Sequence, residues 1–228
     1  MSACTWRCER VMPAAALVET LRVRQFGLCD YTETWHRMRG YTAARGPHSA
    51  DEVWALEHPP VFTLGLGGKP EHLLNPGLIP VVYSDRGGQV TYHGPGQLVT
   101  YVLIDLARRG WGVKRLVHAL EQAVIDLCAD FGVQAQRRSG APGVYVGQAK
   151  LAALGLRVRR GCSYHGLALN VAMDLEPYSR INPCGDAALR VTQIRDLGIQ
   201  SDMETLRPMV LSHLSRCLRE QHRHGNAA

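Results

Sequence analysis

The segment KLAALGLRVRRGCSYHGLALNVAM, residues 150–173, contains two apolar runs that predict the fold class. Apolar residues alternate with other residues over 154–158 and again over 167–173. A period of two is typical of half-buried strands, and the polar, glycine-containing stretch at 159–164 is typical of a turn. The segment therefore predicts an antiparallel hairpin.

The clearest helix is predicted over residues 113–131, where apolar residues recur on one face and Gly132 provides a stop. The face consists of Val113, Leu116, Val117, Leu120, Val124, Leu127, Cys128 and Phe131. Because an apolar stripe of this length needs a partner, we expect the helix to pack on a sheet.

Further strands and a helix are expected before this region. A strand over 21–26 precedes a helix over 31–44. Strand pieces over 53–56 and 61–64 flank the bend HPP at 58–60, because paired prolines cannot donate to a central ladder.

The C-terminal segment predicts another helix. Ser201 with Glu204 resembles a capping box, and apolar residues continue at helical spacing over 210–218. Pro208 is unfavourable inside a helix, so the helix either bends there or begins after it. Helices segregated from antiparallel strands predict an α+β fold, a single domain of mixed and antiparallel sheets packed with helices.

We expect this domain to cover residues 17–221, with a disordered tail over 1–16 and a frayed tail over 222–228. The chain has 228 residues, 46% of them hydrophobic, and no apolar run long enough to span a bilayer, so a soluble protein without a membrane partner is expected. The seven cysteines match no disulfide framework and no zinc pattern. This cysteine usage favours a reducing, cytoplasmic location and predicts no metal site.

The net charge of +6 suggests an acidic partner. An acidic protein surface and a nucleic acid are both compatible with the charge alone. Aromatic residues do not interleave the arginines as single-strand binding requires, so we expect no nucleic acid. A nucleic-acid-binding module stays the alternative from a different functional class.

The segment RGGQVTYHGPGQ, residues 86–97, contains four glycines and one proline within twelve residues. A tight loop between two strands is the simpler interpretation. An imidazole at His93 beside a glycine turn, with the polar groups of Thr91, Tyr92 and Gln97, favours a pocket wall. The GxxxxGK[ST] pattern of phosphate loops does not occur.

Cys184 is the strongest candidate nucleophile. In NPCG, residues 182–185, the proline fixes the approach of the chain and the glycine leaves room for a substrate, although such a sequence also serves as an ordinary turn. Cys128 and Cys217 follow apolar helix spacing and are expected in the core, whereas Cys162 is expected in the arginine-rich turn.

A thiol nucleophile needs a charge partner, because an ordinary cysteine is mostly protonated at neutral pH. Lys150 is one of three lysines in the chain and opens the apolar strand KLAALG, residues 150–155. A lysine whose stem covers the end of a strand is the simpler interpretation, and a functional lysine is the alternative.

These motifs, in this order, resemble the octanoyltransferases of lipoate biosynthesis, also called lipoyl(octanoyl) transferases, over residues 21–218. The resemblance rests on RGGQVTYH (86–93) with GPGQ (94–97), Lys150 followed by ALG (153–155), HGLALN (165–170) and NPCG (182–185). It implies that Cys184 accepts the acyl group and that Lys150 is its partner. It also implies an acyl pocket lined by Arg86, Gly87, Gly88, Gln89, Val90, Thr91, Tyr92, His93, Ala153, Leu154, Gly155, Gly166, Leu167 and Ala168.

The same resemblance implies an octanoyl-[acyl-carrier-protein]:protein N-octanoyltransferase without a cofactor, on a fold shared with biotin and lipoate protein ligases. The donor would be octanoyl-acyl carrier protein. The acceptors would be lipoyl domains of 2-oxoacid dehydrogenase complexes and the glycine cleavage H protein. An ATP-dependent lipoate- or biotin-type ligase is the nearest alternative, and such ligases need no cysteine nucleophile.

Overall fold

A computed structural model describes residues 21–219 as one α+β domain, as the sequence predicts. Its strands are β1 (Leu21–Leu28), β2 (Asp51–Glu57), β3 (Val61–Leu64), β4 (Val81–Tyr83), β5 (Val90–His93), β6 (Gln97–Leu103), β7 (Gly143–Val146), β8 (Ala149–Arg159), β9 (Cys162–Asn170) and β10 (Arg190–Val191). Its α-helices are α1 (Tyr31–Ala44), α2 (Val113–Asp130) and α3 (Met203–Arg219). The tails predicted over 1–16 and 222–228 lie outside the described residues.

A mixed seven-stranded sheet forms the centre of the domain. The strand order is β1-β2-β6-β9-β8-β10, and β7 also pairs with β8. The central pairs are antiparallel, whereas β1 pairs with β2 and β10 pairs with β8 in parallel. A second sheet, β4-β3-β5, carries part of the glycine-rich segment on β5.

Helices cover both faces of the large sheet. Helices α2 and α3 share one core with it, in which Leu120 and Leu127 of α2 and Leu214 of α3 are fully buried. Helix α1 contributes Met38 to a second core with Trp54. Burying one such aliphatic side chain is worth about 1.5–3 kcal/mol, so these contacts hold the sheet rigidly between helices.

The predicted stripe of α2 is buried along its middle and open at its ends. Val113 is 45% exposed and Phe131 is 37% exposed. Val113 begins the helix and Phe131 is its C-cap, and terminal positions have fewer covering neighbours. The prediction that these two residues contribute to the buried face is therefore wrong.

The hairpin of β8 and β9 is confirmed, but its turn is tighter than predicted. Arg160 and Gly161 have φ values of 50° and 76°, the left-handed pair of a two-residue turn that matches strand twist. Strand β9 consequently begins at Cys162, which is 7% exposed. The prediction that Cys162 lies in the turn is wrong.

Helix α3 begins one residue later than the predicted cap implies. Asp202 Oδ1 accepts a hydrogen bond from the Thr205 N–H at 2.9 Å, whereas Ser201 Oγ has no partner within residues 21–219. The capping box predicted from Ser201 is therefore wrong, because the adjacent carboxylate caps the helix. The helix continues through Pro208 and does not begin after it.

Among residues 21–219, no helix combines the length and the apolar character that crossing a bilayer requires.

Candidate active site

Cys184 lies on a short turn with unusual backbone geometry. Its φ of 57° and ψ of 16° are left-handed, a conformation that costs a non-glycine residue on the order of 1 kcal/mol. The turn is fixed by the Asn182 N–H, which donates to His72 O at 2.8 Å, and by the Gly185 N–H, which donates to Asn182 O at 2.9 Å. The residue is exposed, so this turn presents the thiol.

Lys150 approaches the same thiol from strand β8. Its Nζ donates to Cys184 Sγ at 3.0 Å and to Pro142 O at 3.1 Å, and it lies 5.1 Å from the centre of the Tyr145 ring. Lys150 is only 4% exposed. The lysine is therefore held in place and is not a solvated strand end.

A β-bulge aims the lysine. Tyr145 of β7 pairs with Lys150, but the neighbouring Val144 pairs with Ala152, which leaves Leu151 as an extra residue on β8. A bulge of this kind changes the direction of the side chain beside it. Leu151 packs in the core that the sheet shares with α2 and α3, while the side chain of Lys150 reaches the thiol.

The electrostatic partner of Lys150 is the thiol group. Burial lowers the pKa of Lys150, but the charge of Cys184, the hydrogen bond to its sulfur and the interaction with Tyr145 together outweigh burial, so the pKa is raised above its usual value. The site therefore favours a positively charged lysine next to the sulfur, which is the arrangement that supports a reactive thiolate.

Arg86 holds the glycine-rich segment against strand β3. Its buried guanidinium donates to Thr63 Oγ1 at 2.8 Å, to Gln89 O at 2.7 Å and to Gly87 O at 3.0 Å. Because these donors are used within the protein, Arg86 positions the pocket wall instead of offering a free guanidinium to a substrate.

A cavity that opens to solvent adjoins Cys184. It is lined by Tyr31, Arg86, Gly88, Gln89, Val90, Thr91, His93, Val99, Tyr101, Ala153, Leu154, Gly155, His165, Gly166, Leu167, Ala168 and Cys184. Most of this lining is apolar, as is usual for a pocket that binds a small hydrophobic group.

Small residues on β8 and β9 make room for the cavity. Ala153 pairs with Ala168, and Gly155 pairs with Gly166 two residues farther along the hairpin. Since alternate residues of a strand share a face, these four residues lie on one face of the sheet.

Strand β6 adds one residue to each of these two cross-strand pairs, which gives two rows of three residues across β8, β9 and β6. Val99 pairs with Ala168 and Tyr101 pairs with Gly166, and all four line the cavity. A Cβ on Gly166 would lie 2.1 Å from Thr100 O, so only glycine fits at that position. The rows thus combine small residues with one valine and one aromatic ring.

Buried histidines accompany the aromatic lining. His93 Nδ1 donates to Gln97 Oε1 at 2.7 Å, and His58 Nδ1 donates to Cys29 O while its Nε2 accepts from the Tyr101 hydroxyl at 2.7 Å. Burial lowers the pKa of His93 to about 3 and that of His58 to about 4. Both rings are therefore neutral near pH 7.

The structure brings most of the predicted site together. Among the predicted pocket residues, Gly87 and Tyr92 do not line the cavity. The Tyr92 ring packs against Phe62 and Tyr178, with ring centroids 5.5 and 5.7 Å away, in a separate core. Its predicted contact with substrate is therefore not supported by the side-chain position.

The cavity is also lined by four residues that the sequence motifs do not predict as pocket residues: Tyr31, Val99, Tyr101 and His165. Val99 and Tyr101 alternate on β6, and that alternation was the available signal. Their position beside the cavity follows only from the pairing of β6 with β9.

Comparisons with known proteins identify the family of this chain. A family described as the lipoyl protein ligase A/B catalytic domain matches residues 30–215. An octanoyltransferase of Xanthomonas euvesicatoria pv. vesicatoria is 58% identical over 195 residues, which are 86% of this chain and 84% of that protein. An octanoyltransferase of Azoarcus sp. is 56% identical over 207 residues, 90% of this chain and 91% of that protein.

Solved structures share the fold at low sequence identity. A bipartite lipoate protein ligase from Thermoplasma acidophilum superposes with a TM-score of 0.66 at 16% identity, covering 91% of this chain and 86% of that one. A biotin protein ligase from Aquifex aeolicus gives a TM-score of 0.53 at 13% identity, covering 89% and 71%. These two likenesses concern the fold alone, and they agree with the predicted fold class.

Proposed function

This chain belongs to the octanoyltransferases of the lipoyl protein ligase A/B catalytic-domain family, and we propose that it carries an octanoyl or lipoyl group on Cys184. In this proposal the donor is octanoyl-acyl carrier protein. The acceptor is the target lysine of lipoyl domains, in 2-oxoacid dehydrogenase complexes and in the glycine cleavage H protein.

The contact that supports the proposal is the one between Lys150 Nζ and Cys184 Sγ, 3.0 Å apart beside an apolar cavity. At an effective dielectric constant of about 20, opposite charges at this separation attract by about 5.5 kcal/mol. Desolvation of the buried ammonium and solvent around the exposed thiol reduce this value. The proposal relies on this attraction to keep an ammonium beside the sulfur that attacks the donor.

In the first half-reaction the Cys184 thiolate attacks the carbonyl carbon of the donor thioester. A new carbon–sulfur bond forms on Cys184 while the bond to the carrier's phosphopantetheine sulfur breaks. The Lys150 ammonium gives a proton to the departing thiolate. The product is a thioester on Cys184 beside a neutral amine.

In the second half-reaction the acceptor lysine, as a neutral amine, attacks the Cys184 thioester. The nitrogen forms an amide bond, the carbon–sulfur bond breaks, and the excess proton on nitrogen passes to Lys150. Cys184 leaves as a thiolate and Lys150 becomes an ammonium, which restores the starting pair. One lysine therefore serves both half-reactions.

The cavity suits a medium acyl chain. The paired small residues Ala153 with Ala168 and Gly155 with Gly166 leave an apolar slot on the sheet face. Burying about six methylenes at ~0.8 kcal/mol each contributes about 5 kcal/mol to substrate binding. This term favours octanoyl donors over shorter ones.

An ATP-dependent ligase on the same fold is the competing function. Such an enzyme would activate a free acid and would not need Cys184 to lie 3.0 Å from Lys150. We therefore place the acyltransferase first. The free cysteines of the described residues, Cys29, Cys128, Cys162, Cys184 and Cys217, fit the reducing cytoplasm that we propose as its location.

The two functions differ in their requirement for ATP. Purified enzyme mixed with octanoyl-acyl carrier protein and a lipoyl domain should octanoylate the domain without nucleotide. Free octanoate with ATP should give no product. Modification that requires ATP and free acid would favour the ligase and reject the proposed donor.

A further inference from the structure

We propose that Glu121 is a positioning residue for Lys150 and that it acts through the peptide group joining Pro142 to Gly143. The inference rests on the proposed function, in which Lys150 moves the protons. Glu121 belongs to helix α2, which otherwise packs on the sheet, and it does not line the cavity.

One peptide group connects the ammonium to the carboxylate. Lys150 Nζ donates to Pro142 O at 3.1 Å, and the N–H of Gly143 donates to Glu121 Oε1 at 2.9 Å. The C=O and N–H of a trans peptide point in opposite directions, so Lys150 and Glu121 lie on opposite sides of the same unit. A carboxylate on the N–H also polarises the carbonyl towards the ammonium, because hydrogen bonds in a chain strengthen one another.

Packing does not account for a carboxylate at this place. Glu121 is 5% exposed and lies on a helix whose neighbouring Leu120 and Val124 are fully buried. Burying a carboxylate is costly unless it is paired and hydrogen-bonded. Here one oxygen accepts from Gly143 and the other lies 3.1 Å from Arg137 Nε. The partners are therefore a cation and the backbone next to Lys150.

The backbone at Gly143 is fitted closely to the lysine. Its φ of 141° is a conformation that L side chains rarely adopt. A Cβ there would lie 3.0 Å from Lys150 Cε, 3.2 Å from Lys150 Nζ and 2.7 Å from Ala152 O. Because the 142–143 peptide touches the lysine this closely, whatever fixes that peptide also fixes the lysine.

The charge of Glu121 matters most after acylation. Several titratable and charged groups surround Lys150 directly or through one neighbour. They are Cys184, Tyr145, Glu121, Arg137, Arg138, Arg86 and Tyr178. Once Cys184 carries an acyl group it is uncharged. Tyr145 still favours the ammonium form of Lys150. Glu121 is the carboxylate of this set, and it adds to how strongly Lys150 holds the proton taken from the acceptor.

The experiment follows the titration of Lys150 itself. The chain has three lysines, Lys69, Lys114 and Lys150, so a sample with labelled lysine ε-carbons gives three NMR signals, and Lys150→Arg assigns one of them. A Cys184→Ser background replaces the thiolate by a neutral group, as acylation does. In that background Glu121→Gln should lower the pH midpoint of the Lys150 signal by about one unit.

A second variant should have the opposite effect. Arg137→Met removes the cation that compensates Glu121, so the Lys150 midpoint should rise. It also removes the hydrogen bonds from Arg137 to His118 O and Gln122 Oε1 of α2. The matched control is Glu33→Gln, which removes an exposed carboxylate from an ion pair on helix α1. It should leave the Lys150 midpoint unchanged.

Opposite shifts from the two variants support the inference, and the pH profile of acyl transfer from preformed acyl-enzyme should move in the same directions. Unchanged midpoints, or shifts in the same direction in both variants, would overturn it. A non-specific loosening of the structure would not shift the Lys150 midpoint in opposite directions in the two variants. If the enzyme with Cys184 and Glu121 intact forms no acyl-enzyme, the proposed function fails instead, and the NMR titration still decides whether Glu121 acts on Lys150.

Discussion

A larger side chain at Ala168, which lies between Val99 of β6 and Ala153 of β8, should shorten the acyl chain that the enzyme accepts. Ala168 pairs with both residues, is 5% exposed and lines the cavity. In Ala168→Val the two added carbons would occupy space otherwise available to the chain, and valine suits a strand. If they displace about two methylenes at ~0.8 kcal/mol each, an octanoyl donor loses about 1.6 kcal/mol, roughly fifteenfold in kcat/KM.

The assay compares butanoyl, hexanoyl and octanoyl carrier thioesters with the parent enzyme and the variant. The octanoyl-to-butanoyl ratio of kcat/KM should fall roughly fifteenfold if only the longer chain reaches the added carbons. Ala172→Val, an exposed alanine two residues beyond β9, is the control and should leave the ratio unchanged. Equal losses for butanoyl and octanoyl donors would refute the reasoning, since they would indicate damage at Cys184 and not a shorter slot.

Three further predictions concern the charges of the site. Lys150→Met should slow the alkylation of Cys184 by iodoacetamide at neutral pH, because the ammonium 3.0 Å from the sulfur is lost. An unchanged alkylation rate would remove Lys150 from the mechanism. Burial holds the pKa of His93 at about 3, so the rate of acylation plotted against pH should show no transition near pH 6.5. A transition there that His93→Asn abolishes would contradict this prediction. Added salt should raise KM for the carrier substrate and change kcat little, because it screens the attraction between a chain of net charge +6 and an acidic carrier. A KM that does not change with salt would argue against electrostatic attraction of the carrier.

Local periodicity was sufficient to predict the main elements. Helix α1 has the predicted limits, and the β8–β9 hairpin follows from alternation alone. Where neighbouring residues compete for one role, the pattern was ambiguous. Ser201 and Asp202 are both good caps, and the geometry of the chain selects Asp202. At Arg160 and Gly161 a two-residue turn replaces the longer predicted one, since both residues adopt left-handed backbone.

The site required information that no local pattern carries. Lys150 and Cys184 are 34 residues apart, and their meeting depends on the extra residue Leu151 in β8 and on the left-handed turn at Cys184. The motifs predict the pair, but they do not predict its geometry. The roles of Tyr101 in the pocket and of Glu121 behind Lys150 depend on strand register and helix packing, which are long-range properties.

The most direct test of the central claim is the mass of the enzyme after mixing with octanoyl-acyl carrier protein, without ATP and without acceptor. We expect one octanoyl adduct that hydroxylamine removes, that peptide mapping assigns to Cys184 and that is absent in Cys184→Ser. The adduct should persist in Cys162→Ser, whose cysteine is buried at the start of β9, and a lipoyl domain should discharge it as a ping-pong enzyme requires. No adduct, an adduct stable to hydroxylamine on Lys150, or an adduct on Cys162 would contradict the account.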